Sequence, residues 1–258
     1  MSWFEDQVKG LMDRGWSRKD AEKAIMTRDQ IKEVQSKRAR SSHLLVLAMN
    51  DKGMENLYTL NYQANKFGFY YRPRIDLDML EKHSEGLVVT STCIASKMGR
   101  SFFDGDYKAM QNYFERMTSM FGERFFLEIQ PNELQMQIDY NEYIINNFAK
   151  KYDVGTVITC DAHYPIKEGN DARTFLLSLT TDMEESECKN MFIMPEENVR
   201  ELWKIHGHQD VMGTKWLDEG IETTKKVATM CNGLIDTESL KEPTFVTPEG
   251  YKNNREFI

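Results

Sequence analysis

The chain alternates short apolar runs with longer segments of helical period, the texture of βα units. From His43 onward four runs are compact, apolar and rich in β-branched or aromatic residues: His43–Met49 (HLLVLAM), Leu87–Ser91 (LVVTS), Arg124–Ile129 (RFFLEI) and Val154–Thr159 (VGTVIT). Such runs read as strands buried on both faces, as in a parallel sheet. Between them, Gly53–Lys66, Tyr107–Phe121 and Leu134–Lys151 have the length that crossover helices need. The predicted class is therefore α/β, and a (β/α) barrel or an open sheet satisfies the pattern equally. After His163 the strand signal fades. Helices at Asn170–Leu179, Pro195–Trp203 and Trp216–Met230 are expected to pad the sheet, the middle one opened by Pro195.

The two ends of the chain have a different texture. Residues 3–37 predict a helical hairpin, with Gly15 at the stop and Ser17 as an N-cap, followed by the basic stretch Lys37-Arg38-Ala39-Arg40. Glu242 to Gly250, with Pro243 and Pro248, reads as an extended connection. The expected organisation is a helical segment with a basic linker over 1–40, an α/β domain over 41–241, and an exit linker over 242–258.

Charge and composition narrow the chemistry. The 258 residues carry 41 Asp and Glu against 33 Lys and Arg, a formal net charge of −8. That balance disfavours broad electrostatic binding of phosphate, while leaving room for a local basic patch or bridging metal ions. No apolar run approaches the ~18–20 residues of a membrane helix, and the first residues lack the order of a secretory signal, so a cytoplasmic protein with no membrane partner is expected. Cys93, Cys160, Cys188 and Cys231 are widely spaced and form no CxxC pair, so any metal site must use mixed ligands. Phosphate-cradling glycine loops and the GxSxG elbow are absent from the sequence.

The most informative local feature is Cys160-Asp161-Ala162-His163-Tyr164, directly after the strand VGTVIT. In barrels and open α/β sheets, ligands gather at the C-terminal ends of parallel strands. A carboxylate and an imidazole at i and i+2 share a face there and suit a divalent ion. The competing reading is a polar turn with Asp161 capping the next helix. Cys93 follows another strand end, although a lone cysteine in that place is more often a small buried hydrophobe. His43 precedes its strand, so on pattern alone it reads as a structural histidine. His206-Gly207-His208 reads as a solvated loop, and His83 as part of a charged surface turn.

Several segments taken in order carry a resemblance. The runs His43–Asn50, Gly68–Asp76, Leu80–Leu87, Phe121–Gln130 and Cys160–Tyr164 resemble the PHP (polymerase and histidinol phosphatase) domain of the bacterial-type replicative DNA polymerase III alpha subunit. The likeness runs from about Arg38 to Gly250, through Met194–Leu202 and Leu217–Cys231. It implies a distorted (β/α)-type barrel, here a partial one with an N-terminal helical segment and C-terminal helices. The strand ends of such a barrel hold divalent metal, typically Zn or Mn, with Mg an option. In some members the domain is a 3′–5′ exonuclease or phosphoesterase. The positions that match family ligands are His43, Cys93, Asp161 and His163. The family's opening HxH strand and further ligands have no counterpart before Arg40, so an incomplete site is expected. The polymerase palm would lie beyond Ile258, and the resemblance then implies complementary polymerase polypeptides, DNA reached through the assembled enzyme, and a proofreading exonuclease as a candidate partner. The alternatives are a non-catalytic PHP scaffold that stabilises or docks such partners, and a free-standing metal phosphoesterase.

Overall fold

Four strands hydrogen-bond in the order β1-β2-β3-β4: β1 (Leu45–Ala48), β2 (Leu87–Thr90), β3 (Phe125–Ile129) and β4 (Thr156–Ile158). These come from a computed structural model that describes residues 41–69, 72–180 and 190–233, with positions 12, 13, 17–19, 235, 249, 250 and 252 besides. The chain divides into two compact units, residues 1–43 and 44–258. The predicted hairpin over 3–37, Cys188 and the exit segment 242–250 fall almost wholly outside the described residues.

Helices connect and cover the strands. Between β1 and β2 lie α1 (Asp51–Lys66) and α2 (Leu77–Lys82). Between β2 and β3 lie α3 (Lys97–Phe103) and α4 (Tyr107–Phe121). Helix α5 (Gln135–Ile144) continues through a π-turn at Ile145–Ala149 into the short α6 (Lys150–Tyr152) before β4. Then come α7 (Gly169–Thr180), α8 (Glu196–Ile205), α9 (His208–Met212) and α10 (Lys215–Met230). Four of the starts carry a side chain that satisfies an orphan amide of the first turn: Asn50 accepts from Gly53 N, Asp76 from Met79 N, Ser96 from Gly99 N and Asp106 from Ala109 N. The mixed α/β architecture agrees with the class predicted from the sequence.

One strand departs from the expected parallel sheet. β2–β3 and β3–β4 are parallel, but β1 pairs with β2 antiparallel, Leu45 facing Thr90 and Ala48 facing Leu87. The cause lies at the far end of that pair. Met49 N donates to Gly86 O at 2.8 Å, and the first turn of α1 presses its Gly53 against the same carbonyl, where an added Cβ would lie 2.1 Å from the oxygen. Gly86 itself sits at φ +69°, a conformation that favours glycine. The two glycines lock the end of β1 to the start of β2, which only the antiparallel direction permits. Hydrophobic periodicity carries no strand direction, so the pattern could not reveal this.

The two faces of the sheet differ. Leu87, Val89, Phe125, Leu127, Ile129 and Ile158 join a large core with Met110, Phe114, Tyr140, Ile144 and Trp203. On the other face Val88, Phe126 and Val157 pack with Val227 of α10 and, from β1, Leu47. Continuing along that second face in steps of two, the strands reach Thr90, Glu128 and Thr159. It is apolar toward the strand starts and polar toward the C-terminal ends of β2–β4.

His208 corrects a second expectation. It is fully buried rather than solvated, with its ring stacked on Trp203 at 5.1 Å and Nε2 at 2.8 Å from Asn132 O. The Asn132 carbonyl can only accept, so Nε2 carries the proton and fastens α9 to the loop after β3. Burial lowers the pKa of this imidazole below the ordinary histidine range, against a smaller raising effect of the Asn132 bond.

Two outcomes follow from this packing. Gly53→Ala should cost about 1–3 kcal/mol of stability through overpacking against Gly86, measured by urea unfolding. Because the folded state holds His208 neutral, its contribution is present above the ordinary histidine pKa and is lost as pH falls through that value toward the lowered one. Melting temperatures followed from pH 7.5 down to 5 should therefore fall less steeply for His208→Gln than for the native chain.

Candidate metal centre

The C-terminal ends of β2, β3 and β4 deliver three loops to one place. The loop after β2 turns through Thr92, at φ +61°, into Cys93, and the loop after β4 turns through Asp161, at φ +46°. Left-handed backbone at non-glycine residues costs roughly 1–2 kcal/mol and persists where the surroundings over-determine it. Both outliers lie at or next to a predicted ligand.

Cys93 is 6% exposed. Burial pushes its thiol up from the ordinary range; the Ala95 amide works against that shift, and the negative charges of Asp161 and Glu128 add to it. Asp161 is half-buried and His163 exposed. The His163 Nδ1 lies 2.6 Å from the Asp161 carbonyl oxygen. A carbonyl oxygen can only accept, so Nδ1 carries the proton and the lone pair sits on Nε2, the tautomer that a metal ligand requires. The loop is anchored from outside as well. His163 N donates to Met191 O at 2.7 Å, and Tyr164 pairs with Phe192 in a parallel bridge with stacked rings 6.4 Å apart. Asp161 does not cap a helix, since α7 begins only at Gly169.

His43 ends the N-terminal unit, one peptide bond before Leu44. The antiparallel direction of β1 brings Leu45 opposite Thr90, at the polar end of the sheet, and Leu45 N donates to Thr92 Oγ1 at 3.0 Å. The chain thus enters β1 at the polar end of the sheet.

Glu128 was not singled out in the sequence. It is 3% exposed and accepts from Thr90 Oγ1 at 2.5 Å, Thr159 Oγ1 at 2.7 Å and Gln130 Nε2 at 2.8 Å. A signal existed: one carboxylate in the otherwise apolar run FFLEI, at the same parity as Phe126, has no bland explanation in a strand covered on both faces. Among the described residues no three His, Cys, Asp or Glu side chains form a group ready to hold a metal ion. Thiol, carboxylate and imidazole nonetheless make a donor set of the right chemistry for Zn or Mn. Two surface grooves open elsewhere. One of about 630 Å³, lined by Phe114, Tyr152, Gly155 and Lys226, lies toward the strand starts and holds none of the candidate ligands.

Comparison with known proteins identifies the family. Residues 18–132 match the model of the PHP domain family. The chain carries a PHP domain. It is also homologous to DNA polymerase III alpha subunits beyond that span, at 31% identity over 218 residues to the protein of Thermus aquaticus, covering 81% of this chain and 17% of the relative. The Aquifex aeolicus protein is 38% identical over 137 residues, 53% of this chain and 12% of its own length, and that of Campylobacter jejuni 27% over 226 residues, 84% and 18%. The chain thus spans less than a fifth of the length of these relatives. Among the described residues no helix is long and apolar enough to cross a membrane.

The thiol chemistry yields a direct check. Burial raises the pKa of both Cys93 and Cys231, and Cys93 is the more deeply buried, so alkylation by iodoacetamide followed by peptide mass spectrometry should label Cys93 more slowly than the half-buried Cys231. Labelling of Cys93 should quicken as pH rises. Equal rates at both cysteines would contradict the buried placement.

Proposed function

We propose that this chain is the PHP segment of a DNA polymerase III alpha-type replicative polymerase, and that its domain is a metal-dependent 3′–5′ exonuclease or phosphoesterase. The observation carrying this reading is that Cys93 and Asp161 follow the C-terminal ends of β2 and β4, the parallel strands that flank β3, in a chain with a PHP domain. His163 on Nε2, Asp161 and Cys93 would hold the ion, with His43 as a fourth ligand. Position 43 has the parity of Leu45 and Leu47 on β1, the strand face that continues toward Thr90 and Glu128.

These residues would hold a divalent ion, whose chemistry when bound would be to lower the pKa of water and to neutralise charge on a phosphate oxygen. The protein's own contribution is orientation. The Asp161 carbonyl selects the His163 tautomer, the Met191 carbonyl holds the His163 backbone, and burial keeps Cys93 out of bulk water. In this reading DNA reaches the site within an assembled polymerase, and the setting is the cytoplasm. A proofreading exonuclease is a further candidate partner of that assembly.

Metal content by elemental mass spectrometry and hydrolysis of single-stranded DNA test this together. The native chain should hold about one or more Zn or Mn, and His163→Ala should lose the metal and bring nuclease activity to background while its circular dichroism is unchanged. A mutant that keeps its metal contradicts the ligand set. A native chain without metal favours the scaffold reading, and hydrolysis of small phosphate esters but not DNA favours a free-standing phosphoesterase.

A further inference from the structure

The polar end of the sheet contains a buried carboxylate that the proposed ligand set does not use. Glu128 lies in the middle strand of the three parallel ones and is bonded to both neighbours. Its Oε2 accepts from Thr90 on β2, and its Oε1 accepts from Thr159, the residue after β4, and from Gln130. None of these three donors is cationic. Each threonine stands within three residues of a candidate ligand. Thr159 is two before Asp161, and Thr90 is three before Cys93.

The connection on the β2 side can be followed atom by atom. Thr90 Oγ1 donates to Glu128 and accepts from Thr92 N at 3.3 Å, while Thr92 Oγ1 lies 3.3 Å from Thr90 O. Those bonds hold Thr92 in the left-handed turn that delivers Cys93. The backbone supports the same junction, since Glu128 N donates to Ser91 Oγ at 2.9 Å and Ser91 N to Phe126 O at 2.9 Å. On the other side Thr159 N donates to Ile129 O at 3.1 Å, which leaves the Thr159 hydroxyl facing Glu128 and the chain running on to Asp161.

Gln130 Oε1, on the side chain whose Nε2 donates to Glu128, is buried without a hydrogen-bond partner, and the buried Tyr140 hydroxyl lies beside Ser96 and Ser91. Gln130 is 2% exposed and Tyr140 not at all. Buried polar atoms of this kind normally find a partner in protein, water or an ion.

We propose that Glu128 is the positioning residue of the metal centre: its carboxylate ties the loop of Cys93 to the loop of Asp161 and so sets the spacing of two ligands that come from different strands. This rests on the metal-site reading above. The carboxylate touches neither substrate nor metal in this account; it acts through Thr90 and Thr159. Replacing one of its oxygens with an amide nitrogen removes an acceptor from one arm whichever way the amide turns, at no change in volume.

The test is cobalt(II) binding to the full chain, read by affinity and by the thiolate-to-cobalt charge-transfer absorption that reports Cys93 as a ligand. Glu128→Gln should weaken binding roughly 10- to 100-fold, the usual effect of losing a residue that orients a ligand, and should diminish the charge-transfer band relative to the d–d bands. Thr90→Val and Thr159→Val should each weaken binding, and neither should add its full effect to that of Glu128→Gln. Native affinity and an unchanged spectrum in Glu128→Gln, even with a lowered melting temperature, would assign Glu128 to stability alone and overturn the proposal. If Glu128→Gln does not fold, Thr90→Val decides on the same readouts, because it keeps the carboxylate and two of its donors. If the native chain gives no charge-transfer band, the metal-site reading itself falls and takes this inference with it, whereas a native band unaffected by the variants defeats only the role of Glu128.

Discussion

Taking a carboxylate out of water costs several kcal/mol unless hydrogen bonds replace the lost hydration, and most folds avoid it. Glu128 is buried in the central parallel strand of this sheet and meets that cost with three neutral donors. Two of these come from the neighbouring strand ends. The arrangement divides one face of the sheet into an apolar part near Val88, Phe126 and Val157, and a polar part beyond it. Everything of chemical interest in the described residues lies at that polar end.

The antiparallel first strand serves the same end. A fully parallel sheet would send the chain into β1 from the side away from Cys93 and Asp161. The glycine contact between Gly53 and Gly86 closes the opposite end of the β1–β2 pair, and the chain enters β1 at Leu45, opposite Thr90. A steric detail thereby decides at which end of the sheet the chain enters β1. The left-handed turns at Thr92 and Asp161 then carry the loops off their strands, and the bonds made by Thr90 and Met191 keep those loops in place.

Much of this was legible in the residues themselves. The four strands and the long helices follow from hydrophobic period, and the runs around HLLVLAM, FFLEIQ and CDAHY pointed to a PHP domain before any coordinates. Strand direction was not legible, because alternation of apolar residues is the same whichever way a strand runs. His208 was misjudged because its neighbours Gln209 and Asp210 are polar, whereas its burial depends on Trp203 and on a carbonyl 76 residues earlier in the chain. Glu128 is not legible in the same way, because a charge within a strand shows its meaning only once the side chains of both neighbouring strands, Thr90 and Thr159, are in place.

The central claim is that Cys93, Asp161 and His163 form one metal-binding site at the polar end of the sheet. Crystals of the full chain soaked in zinc, with diffraction recorded on either side of the zinc absorption edge, test it most directly. The account predicts an anomalous peak about 2.3 Å from the Cys93 sulfur and about 2.0–2.2 Å from the Asp161 carboxylate and His163 Nε2. Zinc held elsewhere on the chain, with no density between these three side chains, would contradict it.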